Sequence, residues 1–330
     1  MNQFGRIFRI MLFGESHGEC VGVVIDGCPA GLTLSKKDFI LDIKRRHPRL
    51  KGTTQRRETD EPLIQSGLWK QKTTGAPLLI TIKNKDTHFE DYLSFREIPR
   101  PGHADFTASK KYGGYNDTRG GGQFSGRLTV ALVCAGVIAK KILTPVEIEA
   151  SLLQAGGTTQ IERVVQAAIR EKDSIGGIIE CRAKYLPVGL GEPFFDSVES
   201  QISHLVFSIP GVKGIEFGSG FSCSKMRGSE CNDTILDTEG KTATNHSGGI
   251  NGGITNGNEL VFRIAIKPPS SINKPQRTIN LQTGEEAILS VKGRHDACIA
   301  LRTPVIVEAV TAIVLADFML IEQKIPRVME

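Results

Sequence analysis

The sequence predicts a fold of mixed strands and helices in which two similar halves pack into one body. Three observations carry that expectation. Apolar runs of strand type and of helix type alternate along the chain, with no linker-like stretch between them. The 330 residues are enough for two domains or for one large one with a sizeable core, and a single body over 1–330 is the reading adopted. The order strand, turn, helix that surrounds VGVVIDGCPAGL in the first half returns around IGGIIECRAKYLPVGL in the second. The residues match weakly but the element order agrees, which points to an internal duplication.

The elements follow in order. The N-terminal MNQFGRIFRIMLFGES is too short an apolar run for a secretory leader and reads as a strand. Residues 21–25 form a second strand, followed by the turn Pro29-Ala30-Gly31 and a helix from Ser35. There Ser35-x-x-Asp38 resembles a capping box, and Phe39, Ile40 and Ile43 give a helical stripe. The helix stops before Pro48, which leaves Arg45 and Arg46 in its last turn, where cations suit the macrodipole. Residues 78–82 read as a strand and 128–143 as a buried helix. In the second half come a strand at 175–181, the turn 187–190 and a helix over 197–208 that ends at Pro210-Gly211. A Gly-rich loop at 245–257 precedes a strand at 260–266. Lys267, Pro268, Pro269, Ser270 and Ser271 then sit at a strand end, where α/β proteins often build ligand sites. The apolar run 304–321 is interrupted by Glu308 and Asp317; with Thr303 as N-cap and Pro304 opening it, it reads as a buried helix rather than a membrane span.

Composition narrows the function classes. Seven cysteines, with no C-x-x-C pair, indicate free thiols in a reducing cytoplasm. The net charge of +5 is modest, but residues 45–57 hold five arginines and a lysine. That run could bind nucleic acid, although it lacks interleaved aromatics; it could equally be a solvated helix end. No histidine pair has metal-ligand spacing, and no metal is expected. Gly240-Lys241-Thr242 looks like the end of a P-loop, but position 235 is Ile where the motif needs Gly. Neither a G-x-G-x-x-G after a strand nor a G-x-S-x-G elbow is found.

The most informative stretch is 100–127, RPGHADFTASKKYGGYNDTRGGGQFSGR, which holds seven glycines and three arginines and almost no aliphatic side chain. It cannot build a core. Glycine allows sharp turns and close approach, arginine offers a fork for phosphate or carboxylate, and His103 can move a proton near neutral pH. Gly120-Gly121-Gly122 is placed just before the 128–143 helix, where free N–H groups would favour an anion. Similar His-bearing pieces recur at 14–18 (GESHG) and 293–298 (GRHDAC). Together they describe a loop set that wraps an anionic ligand and supplies acid–base groups. Against this stands the simpler reading of ordinary turns and solvated arginines, which holds for any one residue taken alone.

GESHG (14–18), TTQRRETD (53–60), RPGHAD (100–105), DTRGGGQFSGR (117–127), NHSGGINGG (245–253), KPPSSI (267–272) and GRHDAC (293–298) together resemble the chorismate synthase family, in the family's order and over nearly the whole chain. The resemblance implies an α+β fold, a large β–α–β sandwich with an internal pseudo-twofold repeat, assembled as a homotetramer. It implies conversion of 5-enolpyruvylshikimate 3-phosphate to chorismate and phosphate, a 1,4-elimination without net redox change that needs reduced FMN. By resemblance His17 lies near the substrate phosphate, His103 near the flavin, and Asp296 manages the proton at flavin N5, with Ser16 and Ser125 in the same network. Arg46, Lys51, Arg119 and Arg127 are the candidates for substrate anions, with Arg49 as the alternative to Lys51. Gln123, Phe124, Ser125, Pro210, Gly211, Gly252, the 267–271 segment and Arg294 are the candidates for the cofactor. NADPH enters only as an indirect reductant. No added domain is visible, which favours a separate flavin reductase, although some members of the family reduce their own flavin.

The chain departs from the family pattern in four places. The segment after Pro48 is one residue short, Pro210-Gly211 replaces Asn-Ala, Ala297 replaces a proline, and 144–171 is shorter and peripheral to the motifs. Two other functions compete. A flavin-dependent redox enzyme would consume reductant with turnover, and a nucleic-acid binder would show steep salt dependence.

Overall fold

A computed structural model describes residues 2–48, 51–54, 58–86, 94–291, 293 and 295–329. The first half contains β1 (Gln3–Phe4), β2 (Arg9–Gly14), β3 (Cys20–Asp26), α1 (Ile40–Arg46), β4 (Leu63–Ser66), the small hairpin β5 (Leu68–Trp69) and β6 (Lys72–Thr73), β7 (Leu78–Lys83), α2 (Asp105–Lys111) and α3 (Thr129–Ile142). The second contains β8 (Glu147–Ala155), α4 (Ile161–Arg170), β9 (Gly177–Lys184), α5 (Val198–Val206), β10 (Val212–Phe217), α6 (Gly228–Cys231), β11 (Ile250–Asn251), β12 (Ile254–Thr255), β13 (Leu260–Ile266), β14 (Gln276–Ile279), β15 (Glu286–Leu289) and α7 (Pro304–Ile321).

Two antiparallel sheets result, ordered β1-β2-β3-β7-β4 and β10-β13-β9-β8. Read as β2-β3-β7-β4 and β8-β9-β13-β10, they have the same order. α1 and α5 follow the second strand of each set, and α3 and α7 close each half. The duplication suggested by a weak sequence match is therefore a duplication of topology. α3 packs on β2, β3 and β7, α7 packs on β8 and β9, and the two helices pack on each other between the sheets.

The strands alternate because one face of each is covered. Val21, Val23 and Ile25 of β3 are fully buried and stand opposite Ile82, Ile80 and Leu78 of β7. In the other sheet Leu260, Phe262 and Ile264 face Ala183, Cys181 and Ile179. α3 and α7 are buried almost all round, since each has a sheet on one side and a helix on another. A Cβ at Gly136 of α3 would overlap that of Ala309 in α7, so glycine there sets how closely the helices approach. α7 has the length and apolarity of a membrane span, but its 18-residue window is 83% buried inside the protein.

Two acids interrupt α7, and both have partners. Glu308 receives both Nη atoms of Arg45 at 2.7 and 2.6 Å, Lys140 Nζ at 2.8 Å and the Ala150 N–H at 3.0 Å, which ties α1, α3 and β8 to α7. Asp317 accepts the N–H groups of Arg6, Ile7 and Phe8 at 2.8, 2.7 and 2.8 Å, anchoring the turn between β1 and β2. A buried carboxylate persists only with such partners.

Some local expectations differ. β9 starts at Gly177 rather than 175. Ile40 is 46% exposed, while Phe39 and Ile43 are buried, so the stripe is narrower than its spacing suggests. Asp38 does accept the Ser35 N–H at 2.7 Å, but over a 3-10 turn that runs into α1. Thr303 stands at the N-cap of α7, yet its hydroxyl donates back to the Ile299 carbonyl at 2.8 Å and caps nothing.

Candidate active site

Segments that are equivalent under the repeat meet at one cavity of about 610 Å³. The loops leaving β7 and β13 supply residues of 100–127 and 267–303, and the C-terminal ends of α1 and α5 supply Arg46, His47, Ser208, Pro210 and Gly211. The turn between β2 and β3 adds Ser16 and His17.

The triglycine is the hinge of the arrangement. Gly120, Gly121 and Gly122 have φ of 57, 82 and 53°, in the left-handed region open to glycine. A Cβ on Gly120 would overlap the His17 ring at Nδ1, and one on Gly121 would lie 3.4 Å from Cε1 of His103. The backbone thus passes close to both histidine rings at successive residues, while the Gly122 carbonyl accepts the Ser16 N–H at 3.2 Å. α3 itself begins only at Thr129, after the Ser125 turn, so the triglycine does not sit on its N-terminus as its position in the sequence suggested.

His103 is held from behind. Its Nδ1 lies 2.6 Å from Asp105 Oδ1, and Asp105 takes Arg100 Nε and Nη2 at 2.8 Å each. Burial alone would raise the Asp105 carboxyl, but the hydrogen bonds and charges of Arg100 and His103 outweigh it and hold the group well below the usual carboxylate range. Arg100 Nη1 donates to Ser271 Oγ at 3.0 Å. Lys267 Nζ and Ser270 Oγ donate to the Gly102 carbonyl at 2.5 and 2.8 Å, so the loop after β13 clamps the loop that carries His103. Burial, with the nearby Lys213 charge, lowers the Lys267 ammonium from its ordinary value.

A second cluster surrounds Asp60, which is 2% exposed. It pairs with Arg127 and, at 3.4 Å, with Arg46, and lies 3.1 Å from His47 Nε2. Burial would raise its carboxyl; the His47 bond and the two guanidinium groups overcome that and hold it well below the carboxylate range. Arg46 is spent largely on protein: Nε donates to Thr129 Oγ1 at 3.0 Å and Nη2 to the Gly126 carbonyl at 2.9 Å. Burial pushes its guanidinium down from the ordinary value, Asp60 opposes this, and Arg302 and Arg127 add to it. Arg45 is committed to Glu308 although its side chain is 39% exposed, so of the first two arginines of the basic run only Arg46 turns fully inward.

Asp296 accepts the Thr54 N–H at 2.9 Å and Arg302 Nη2 at 2.7 Å. The Ala297 N–H, which a proline there would lack, donates to the Gly52 carbonyl at 2.8 Å and ties this wall to the shortened 51–54 segment.

Ser16, His17, Arg46, His103, Gln123, Phe124, Ser125, Arg127, Pro210, Gly211, Asp296 and the whole 267–271 segment line the cavity. Three candidates do not. Arg119 is paired with Asp117 at 2.8 Å, Lys51 is exposed, and Gly252 lies at the tip of the β11–β12 hairpin. Arg294 and Arg49 lie outside the described residues. Sequence reasoning missed Arg100, Asp105, Asp60, His47 and Arg302. Asp105 could have been found, because it stands two residues after His103 in the RPGHAD motif.

The wall thus joins cations and backbone donors suited to anions, two imidazoles packed against successive glycines of one loop, and the apolar side chains of Ile209, Pro210, Pro268, Pro269 and Ile299. Among the described residues, no cluster of three or more His, Cys, Asp or Glu could hold a metal ion.

Known proteins share this chain's sequence and fold. A family model described as chorismate synthase matches residues 8–320. The chorismate synthase of Chitinophaga pinensis is 60% identical over 329 residues, covering 99% of each chain. That of Dehalococcoides mccartyi is 44% identical over 361 aligned positions, covering 100% of this chain and 99% of the relative. That of Korarchaeum cryptofilum is 44% identical over 347, covering 95% and 96%. A crystal structure of chorismate synthase superposes with a TM-score of 0.76 at 25% identity and covers 97% of this chain and 93% of its own.

Proposed function

The chain belongs to the chorismate synthase family and catalyses its reaction, the elimination of phosphate from 5-enolpyruvylshikimate 3-phosphate to give chorismate for aromatic amino-acid biosynthesis; from that premise we propose how this cavity carries it out. The enzyme is a lyase, and dependence on reduced FMN is characteristic of the family.

The observation that carries the proposal is the pair of histidines packed against successive glycines of the triglycine, in a pocket walled by buried arginines. The residues suit a flavin. Pro210, Pro268, Pro269 and Ile299 offer apolar contact for a ring system, and Lys267 with Ser271 offers donors for a phosphate. When bound, reduced FMN supplies the electron-rich ring that the family's elimination requires. His17 neutralises the leaving phosphate, and Arg127 holds substrate anions beside it. His103 would meet bound ligand through Nε2, the ring nitrogen turned away from Asp105. Asp296 would receive the proton carried at N5 of a bound flavin. Ser16 and Ser125 orient these groups. Arg46 acts through the Asp60 cluster by fixing Arg127. Lys51, Arg119, Gly252 and Arg294 remain candidates for ligand contact.

Outside the pocket, the proposal is of a single functional body, a homotetramer in the cytoplasm, with FMN reduced by a separate reductase and NADPH as the indirect reductant. Free thiols throughout favour a reducing compartment, and the adjacent Phe194 and Phe195, 86% and 90% exposed, give apolar surface for subunit contact.

An anaerobic assay tests the reading. Substrate with chemically reduced FMN should release phosphate and chorismate in equal amounts over many turnovers without consuming the reductant. Stoichiometric consumption of reductant would identify a redox enzyme instead.

A further inference from the structure

We propose that Asp105, itself held by Arg100, is the positioning residue that fixes the tautomer and orientation of the His103 ring. The inference rests on the reading that His103 acts on bound ligand.

Asp105 opens α2 and lies behind the imidazole, with its side chain 7% exposed and Oδ1 2.6 Å from Nδ1. Its other contacts fix it in place. Arg100 donates to it through Nε, Nη2 and the backbone N–H, the last at 3.1 Å. Arg100 is 5% exposed, reaches Ser271 and stacks 4.4 Å over the Phe95 ring. An ionised carboxylate only accepts hydrogen bonds, so its partner at Nδ1 must carry the proton. Arg100 Nη2 also lies 3.0 Å from Nδ1, but a guanidinium only donates and cannot take that proton's bond. Nε2 is left on the side of Gly121, whose Cβ position is 3.5 Å away. There it accepts a proton when the ring is neutral and donates one when the ring is cationic.

Both halves of the fold hold this geometry. The histidine, aspartate and arginine come from the loop after β7. The Lys267 and Ser270 bonds to the Gly102 carbonyl, and the Ser271 bond to Arg100, come from the loop after β13. The group that orients the ring is thus itself oriented across the duplication.

The test is Asp105→Asn in the full-length enzyme. The amide can donate to Nδ1 and so transfer the ring proton to Nε2 without changing shape. Chorismate formation should fall about 100-fold or more in kcat, with KM and FMN binding little changed. Asp105→Glu should recover part of the rate. In a His103→Ala background, Asp105→Asn should cost nothing further. Nitrogen-15 spectra of histidine-labelled protein read the tautomer without activity: Nδ1–H in the parent, Nε2–H in Asp105→Asn. An unchanged tautomer, or losses that multiply with His103→Ala, would overturn the proposal. A His103→Ala enzyme of parental rate would instead sink the role of His103, whatever the spectra show. If Asp105→Asn fails to fold, Arg100→Lys loosens the carboxylate while keeping it: kcat should fall with KM little changed while the ring stays Nδ1–H, and a parental kcat there counts against the inference.

Discussion

Gly120 lies so close to His17 that a β-carbon on the glycine would overlap the ring nitrogen Nδ1. The same loop passes His103 one residue later, so the backbone sets the spacing of both imidazoles. Gly120→Ala should therefore act like a histidine mutation. Phosphate release should drop about 100-fold, as for His17→Ala or His103→Ala, the range typical of a lost general acid or base. Far-UV dichroism should not change. A Gly120→Ala enzyme with parental turnover would show that His17 has room to move without loss.

Asp296 separates charge from chemistry. Its carboxylate is shared between the Thr54 N–H and Arg302, so Asp296→Asn keeps the shape and at least the backbone bond. If the pair only braces the wall, the change costs about 1–3 kcal/mol and leaves activity intact. A role at flavin N5 requires about a 100-fold loss of turnover with substrate and FMN still bound, which is the expected result. Steady-state rates beside thermal melts decide between the two.

Asp60 governs stability against pH. Its pKa in the folded state is below the unfolded value near 3.9. Its contribution is therefore fully present above about pH 5 and is lost as pH falls through the unfolded and then the folded pKa. Asp60→Asn leaves Arg46 and Arg127 buried without their anion and should cost roughly 3–5 kcal/mol at neutral pH. The gap from the parent should narrow below about pH 4 in denaturant titrations. A gap independent of pH would mean that shape, not charge, is what Asp60 supplies.

FMN should bind weakly alone and more tightly with substrate. One cavity receives both ligands in the proposed reading, and its wall is made of loops rather than strands. Titration of oxidised FMN with and without 5-enolpyruvylshikimate 3-phosphate measures this directly; equal affinities would contradict it.

Most of the frame was legible in the sequence. β3, β7 and β13 alternate because one face is covered, and α3 and α7 are apolar runs whose length marks buried helices. The motifs located the cavity, since all but three of the described candidates line it. The ion pairs were less legible. Read from the sequence, Arg46 is a candidate for substrate anions, and Asp60, Arg100 and Asp105 have no assigned role, but each is buried against a partner whose nearness only the fold creates. Arg119 illustrates the opposite case: chosen for its charge, it is paired with Asp117 just before it. Ile40 and Thr303 fit their local patterns, and tertiary packing used them otherwise.

The cavity lies where corresponding segments of the two halves face each other. Had the ancestor been a pair of identical chains, every substitution in that pocket would have appeared twice, on opposite sides of the ligand. Joining the copies in one chain removes that constraint. The loop after β7 could take a histidine and the loop after β13 an aspartate, so two unlike ligands could be bound in a cleft that began as the meeting of like surfaces. The turn carrying Ser16 and His17 shows the outcome: its counterpart between β8 and β9 holds α4 instead and contributes no side chain to the pocket.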